Sequence, residues 1–309
     1  MIEKKRILVT GGAGFIGSAL IWALNQRGLE NILVADYLKD DEKWKNLVPL
    51  RFDDYMEADD LRRLTLEDSP RLQDIGTVFH LGACSATTER DAGYLIRNNY
   101  EFTKELASWA LEREVRFVYA SSAATYGDGA QGMSDGADLN TLRPLNMYGY
   151  SKHLFDLHAR RHDFLDRVVG LKYFNVFGPN EDHKADMRSL VHKAYGQVVD
   201  SGVIRLFQSD RPDYADGEQK RDFLYVKNAV EMTIHLADNP NAGGLFNLGS
   251  GEANTWNTLA RSIFAALDRE PNIEYVPMPD VLKAKYQYFT QANISKLRGS
   301  GYHRPITPL

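Results

Sequence analysis

The chain has 309 residues, of which 43% are hydrophobic and 26% charged, and its formal net charge is −5. That length holds one large domain or two modest ones, in an ordinary globular composition. The acidic balance lacks the basic footprint of a nucleic-acid binder, and the single cysteine, Cys84, cannot form an intrachain disulfide.

Lys4, Lys5 and Arg6 lead into an uncharged run, Ile7 to Leu24. A cleaved leader or membrane anchor would keep that run apolar, but Gly11, Gly12, Gly14 and Gly17 interrupt it. It is also shorter than the roughly 20 apolar residues a membrane helix needs. The expected location is cytoplasmic, with no membrane partner. "RILVT" (6–10) instead reads as a buried strand. "FIGSALIWALNQRG" (15–28) carries Phe15, Ala19, Trp22 and Ala23 at helical spacing and stops at Gly28. Strand, glycine turn, helix is the opening of a dinucleotide-binding unit. Gly11 permits the tight turn, Gly14 lets backbone meet a pyrophosphate, and Gly17 lets the helix pack close. The next strand, "NILVAD" (31–36), ends in Asp36, 19 residues after Gly17, where an acid can take the adenosine ribose hydroxyls. The GxxGxxG spacing resembles the short-chain dehydrogenase/reductase superfamily.

Strand and helix signals then alternate: strand 77–83, helix 91–114, strand 115–122, helix 147–165, and strand 167–179 running into a loop. Residues 180–222 are polar and carry a charge-rich loop, 208–222. A buried strand follows at 244–251 and a helix near 255–269. The expected fold class is α/β, a doubly wound parallel Rossmann sheet with a smaller substrate-binding lobe. The Rossmann domain is expected over 1–177 and 223–251, and the lobe over 178–222 and 252–309. The eight histidines are scattered; none reads as HExxH or HxxxH on a helix, so no metal site is expected.

"YGYSK" places Tyr148 and Lys152 four residues apart, on one face of a helix. A phenol is a poor base at neutral pH, and a neighbouring ammonium and a positive nicotinamide favour its phenolate. Tyr148 then exchanges a proton with a substrate hydroxyl while a nicotinamide exchanges hydride. Ser121 and Ser122 close a strand at the carboxyl edge of the sheet, where the Ser122 hydroxyl either bonds the reacting oxygen or caps the strand end. The residues alone describe an NAD(P)-dependent enzyme acting on an alcohol or ketone.

Further stretches narrow this reading: "GACSATTE" (82–89), "GPNEDHK" (178–184), "KRDFLYV" (220–226) and "YQYFTQANISKLRGSGY" (286–302). With the motifs above, the whole chain resembles the ADP-L-glycero-D-manno-heptose 6-epimerase family, part of the extended short-chain dehydrogenase/reductase group. That resemblance implies inversion at C6 of the heptose of ADP-D-glycero-D-manno-heptose, through a 6-keto sugar and hydride return from bound NADP, for lipopolysaccharide core precursors. It implies a homo-oligomer, a pentamer. It assigns acid/base roles to Tyr148 and Lys184, with Lys152 and Ser122 assisting. A lysine used as a base calls for partial burial or a nearby positive charge. Cofactor contacts are implied for Gly11, Gly14, Phe15, Ile16, Gly17, Asp36, Tyr37, Lys43, Leu81, Gly82, Ala83, Cys84, Ser85, Asn98, Lys152, Val176 and Lys184. Substrate contacts are implied for Ser122, Asn175, Asp186, His192, Phe207, Arg221 and Tyr286, with Arg221 suited to phosphates. Asp36 suits NAD; Lys43 offsets it and accepts the 2′-phosphate of NADP.

Three features depart from the family pattern. Leu81 stands where a glutamate often precedes "GACS", Asp186 stands where a serine is common, and the 208–220 insertion is longer than the family expects. A final amphipathic helix is expected beyond "ITPL". Alternatives are a nucleotide-sugar 4-epimerase, a 4,6-dehydratase, or a non-catalytic NADP-binding scaffold. A dehydratase is expected to carry an acidic pair that "SSAATYGDG" (121–129) lacks.

Overall fold

The chain starts at once on its central strand. β1 (Arg6–Thr10) is buried at four of its five residues, because a strand covered on both faces needs continuous apolar side chains. The computed structural model describes Ile2, residues 5–283 and residues 286–309; Lys4, first of the leading basic residues, lies outside the described residues. α1 (Phe15–Asn25), β2 (Ile32–Asp36), β3 (Asp54–Glu57), α2 (Ala58–Leu66) and β4 (Ile75–His80) complete the first unit. Next come α3 (Ala92–Leu95), a π-helical turn (Ile96–Glu101), α4 (Phe102–Glu112), β5 (Arg116–Ser122), α5 (Met147–Arg161) and β6 (Val169–Tyr173). The remainder is β7 (Asn175–Phe177), α6 (Leu190–Ser201), β8 (Ile204–Phe207), β9 (Lys220–Arg221), β10 (Phe223–Tyr225), α7 (Val226–Asp238), β11 (Gly244–Leu248), β12 (Asn254–Thr255), α8 (Trp256–Ala266), β13 (Ile273–Val276), α9 (Asp280–Lys283) and α10 (Ser295–Gly299).

Seven strands form one all-parallel sheet in the order β11-β6-β5-β4-β1-β2-β3. This is the doubly wound arrangement expected from the alternation of strands and helices. Strand order reverses between β1 and β4, and the crevice beyond their carboxyl ends is where such sheets bind ligands. Each face of the sheet buries its own apolar cluster. One contains Leu20, Leu24, Val230 and Ile234 from α1 and α7; the other contains Leu61, Leu106, Trp109 and Phe155 from α2, α4 and α5. A third, smaller cluster joins α6, β8 and α8 through Ala194, Val198, Ile204, Leu206, Ala260 and Phe264. Leu297 and Tyr302, in the tail, are buried with the α1–α7 cluster of the main sheet.

Several boundaries differ from the sequence reading. The strand expected over 77–83 ends at His80, and Leu81–Ala83 form a loop over the crevice. The helix expected over 91–114 is interrupted by the π turn, and the helix expected to reach 165 ends at Arg161. The stretch 167–179 is two strands: β6 lies in the main sheet, while β7 pairs with β10. The polar stretch 180–222 is not all surface loop, since it contains α6 and β8. β3, α2 and α7 were not foreseen.

Candidate active site

The cleft is built first from backbone. Gly11 has φ +68°, and a Cβ there would stand 2.7 Å from the Gly82 backbone, so the loops after β1 and β4 touch only because both carry glycine. A Cβ on Gly17 would stand 2.0 Å from the Gly11 carbonyl oxygen. Gly14 takes the N-cap of α1 without a side-chain cap, which leaves the first N–H groups of the helix free for an anion. A cleft of about 410 Å³ lies over this turn. It is lined by all the expected cofactor residues except Lys152 and Val176, and also by Lys39, Asp41, Tyr94, His183 and Met187.

At the far edge Asp36 is already engaged. Its Oδ2 accepts from Ala13 N at 2.9 Å, and its Oδ1 accepts from Tyr37 N at 2.7 Å and Lys43 Nζ at 2.9 Å. The Tyr37 hydroxyl donates to Asp59. Asn46 links this edge to the loop after β7, donating to the Ala13 carbonyl at 3.0 Å and the Asn180 carbonyl at 3.4 Å.

Below the cleft, His80 ties β1 to α4: its ring nitrogens lie 2.8 Å from Thr10 Oγ1 and 2.9 Å from Thr103 Oγ1. Burial, helped by the Lys152 ammonium, pushes its pKa down to about 3, so the ring is neutral. Asn99, in the π turn, holds the Cys84 loop. It accepts from Cys84 N at 2.9 Å and donates to Cys84 O and to Ser151 Oγ, each at 3.0 Å. π turns recur at functional sites because the extra residue re-aims a side chain. Sequence reasoning chose Asn98, which lines the cleft, and missed Asn99.

α5 brings Tyr148 beside Ser122 and carries Lys152 one turn further on, all three outside the lining of the 410 Å³ cleft. Ser122 Oγ accepts from Ala124 N at 3.1 Å and so does cap the turn after β5. It also faces Tyr148, whose pKa burial raises while the Ser122 hydroxyl works against that. The sequence expectation was an ammonium and a positive nicotinamide together lowering the phenol. Burial acts in the opposite sense to that expectation. Lys152, 4% exposed, is itself pushed down to about 8 by burial, with Asp156 pulling it up. Asp156 sits one turn further along α5 and forms a fully buried pair with Lys172 at 3.0 Å, joined by Tyr119 and Ser121.

Lys184 is half-buried, with its Nζ 5.0 Å from the centre of the Phe15 ring. Burial lowers its pKa, against the pull of Glu181. The other expected substrate residues lie outside that cleft. Arg221, 6% exposed, stands over Tyr286 at 5.0 Å and Trp256 at 5.4 Å, and Trp256 Nε1 donates to the Tyr286 hydroxyl at 2.8 Å. Its one described hydrogen bond goes to the Lys220 carbonyl. Trp256 was not foreseen. Asn175 lies in β7 and accepts from Thr290 Oγ1 at 3.3 Å; Phe207 ends β8; His192 is held by Asp182 at 2.7 Å; Asp186 is exposed, its carbonyl accepting from Lys193.

The histidine expectation is corrected. His158 and His162 do stand four residues apart at the end of α5, with ring centroids 4.3 Å apart. Among the described residues no group of three or more His, Cys, Asp or Glu is placed to hold a metal ion, and no helix is long and apolar enough to cross a membrane.

Residues 7–249 match the NAD dependent epimerase/dehydratase family, and the chain belongs to that family. A relative from Nitratidesulfovibrio vulgaris (strain DP4), named ADP-L-glycero-D-manno-heptose-6-epimerase, is 55% identical over 95% of this chain and 91% of its own. A Helicobacter pylori crystal structure of the same name is 26% identical, with TM-score 0.80 over 99% of this chain and 93% of that one. A UDP-N-acetylglucosamine 4-epimerase from Methanobrevibacter ruminantium is 25% identical, with TM-score 0.82 over 98% and 93%. The relatives' names place the chain among isomerases. A nicotinamide cofactor goes with the family, and the glycine cradle with its uncapped helix end fits a pyrophosphate.

Proposed function

We propose that the chain inverts C6 of the heptose in ADP-D-glycero-D-manno-heptose, giving the L-glycero-D-manno epimer for the lipopolysaccharide core, with NADP in the cleft. The observation that carries this reading is 55% identity, over 95% of the chain, to a relative of that name.

A bound nicotinamide supplies a reversible hydride acceptor. The protein's own residues hold the sugar and move protons. Tyr148, from α5, takes the C6 hydroxyl proton, with Ser122 facing its phenol and the Lys152 ammonium beside the same face of the helix. Lys184, from the loop after β7, serves the opposite side of the sugar. Burial lowers its pKa, which brings it nearer the range where an amine both accepts and donates a proton. Inversion needs the ketone to turn between the two groups, so the grip is placed away from C6. Arg221 between Trp256 and Tyr286 supplies it, a largely desolvated cation suited to a diphosphate. For the cofactor, Lys43 neutralises Asp36 and Lys39 lines the same edge, which favours a 2′-phosphate. The same reading carries a homopentamer, which light scattering tests.

The deciding assay uses protein purified without added nucleotide. The bound cofactor is identified, then ADP-D-glycero-D-manno-heptose is added and the C6 epimer followed by NMR. Conversion without added cofactor supports both parts of the reading. Turnover of UDP-N-acetylglucosamine instead would replace it with a 4-epimerase, the activity that the Methanobrevibacter protein's name carries.

A further inference from the structure

The loop that presents Lys184 is held in a conformation its sequence does not favour. Ala185, the next residue, has φ 45° and ψ −124°, a region costly for any residue with a Cβ. Such strain persists only where surrounding contacts over-determine it. Asn46 holds the Asn180 carbonyl, Arg188 the Asp182 carbonyl and Lys193 the Asp186 carbonyl, and one buried side chain reaches both ends of the loop. Glu181 is 1% exposed. Its Oε1 accepts from Gly178 N at 3.2 Å and Ser189 Oγ at 2.7 Å; its Oε2 accepts from Ser189 N at 2.6 Å and lies 3.7 Å from Lys184 Nζ. A single carboxylate thus pins both ends of the loop, Gly178 after β7 and Ser189 at the cap of α6, and reaches the amine between them.

From this geometry we infer that Glu181 is a positioning residue: it closes the 178–189 loop and fixes the Lys184 amine over the Phe15 ring as that amine's counter-charge. The inference rests on the proposed role of Lys184. Among the described residues, the titratable groups facing that amine are Glu181 and His183 in its own loop and Lys193 from α6, and α1 presents the Phe15 ring. Lys43 and Asp41 act on His183. Glu181 is therefore the sole anion among them, and it holds the amine's pKa above where burial and Lys193 alone would leave it.

The test uses the cofactor-bound protein with its lysines ¹³C-dimethylated, the Lys184 signal being assigned by its loss in Lys184→Met. In Glu181→Gln that signal is expected to titrate at lower pH than in the unaltered protein. In Ser189→Ala, which removes one strut but keeps the carboxylate, it is expected not to move. On ADP-D-glycero-D-manno-heptose, Glu181→Gln is expected to lose on the order of 10- to 100-fold in kcat, with KM and bound nicotinamide little changed. An unmoved Lys184 titration in Glu181→Gln, or an equal shift in Ser189→Ala, overturns the inference. If Lys184→Met turns over normally while the titration still shifts, the catalytic reading of Lys184 fails and the placement by Glu181 stands. Should Glu181→Gln not fold, Glu181→Asp withdraws the carboxylate by one methylene; an unshifted Lys184 signal there also overturns it.

Discussion

The two ends of this site are made of different material. At the glycine turn the binding surface is backbone, drawn from β1, α1 and β2 within one short span of chain, and a Cβ at Gly11 or Gly17 would meet main-chain atoms. Around Arg221 the surface is side chain, assembled from β9, the N-terminus of α8 and the segment after α9, with one guanidinium between two aromatic rings. A backbone surface fits what goes with the whole family, the dinucleotide cofactor. A side-chain surface changes with single substitutions and suits the part that distinguishes one nucleotide sugar from another. Tyr148 comes from α5 and Lys184 from the loop after β7.

That contrast is open to attack in four places. The largest effect is expected at the two proposed proton-transfer groups. Tyr148→Phe and Lys184→Met should each lower kcat by roughly 10²- to 10⁴-fold, and the double variant further, with NMR of the C6 epimers as the readout. Unimpaired turnover in both single variants would remove the two-group reading.

At the backbone end, Gly17→Ala forces a methyl group onto the Gly11 carbonyl, which cannot swing aside as a side chain can. Overpacking of that kind costs about 1–3 kcal/mol. Loss of bound nicotinamide should accompany the drop in thermal stability. An alanine variant that kept its cofactor would show the turn to be more yielding than its close contacts suggest.

At the side-chain end, Arg221→Gln should raise KM for the nucleotide sugar by about 10- to 100-fold, the worth of one charge-assisted hydrogen bond of about 1.5–3 kcal/mol. Cofactor content should stay as it is. If Arg221→Gln empties the cleft of nicotinamide as well, the two ends are not separable.

The effect that vanishes at neutral pH concerns the support beneath both. His80 is neutral in the folded chain down to about pH 3, whereas an unfolded chain protonates it near 6.5. Above pH 6.5 neither state binds the proton and the residue contributes no pH dependence. As pH falls from 6.5 toward 3 only the unfolded chain takes it up, and stability is lost by up to about 1.4 kcal/mol per pH unit. Denaturant titrations at several pH values should show a shallower slope in His80→Gln.

The same contrast explains what could be read from the sequence. Gly11, Gly14, Gly17 and Asp36 were legible because local spacing alone dictates a strand, a turn and a helix end. Tyr148 and Lys152 were legible because one helix carries both. Arg221, Tyr286 and Trp256 come from segments far apart in the chain, and no local period links them. A resemblance named the first two, but nothing pointed to Trp256. Asn46, Asn99 and Glu181 escaped for another reason: each works through hydrogen bonds to main-chain atoms, so its side chain carries no motif of its own. β3 and α2 were missed because "DYMEADDLRRLTLED" (54–68) is short and heavily charged, and the polarity masks Met56, Leu61 and Leu64, which are buried. The burial that raises the Tyr148 pKa escaped for a similar reason, since burial is a property of the fold.

The π turn at Ile96–Glu101 makes this helix intolerant in an unusual way. Each residue of an α-helix advances the face by about 100°, so the one surplus residue resets the face between the buried Leu95 before it and the buried Leu106 after it, while Asn99 turns to the Cys84 loop. Removing any single residue there would restore ordinary helical winding and leave a perfectly good helix. One half would then be rotated by about 100° against the other, either uncoupling the asparagine from the loop or unseating the apolar stripe. Substitutions along this segment adjust the site by degrees, whereas a single-codon deletion acts like a slipped gear tooth.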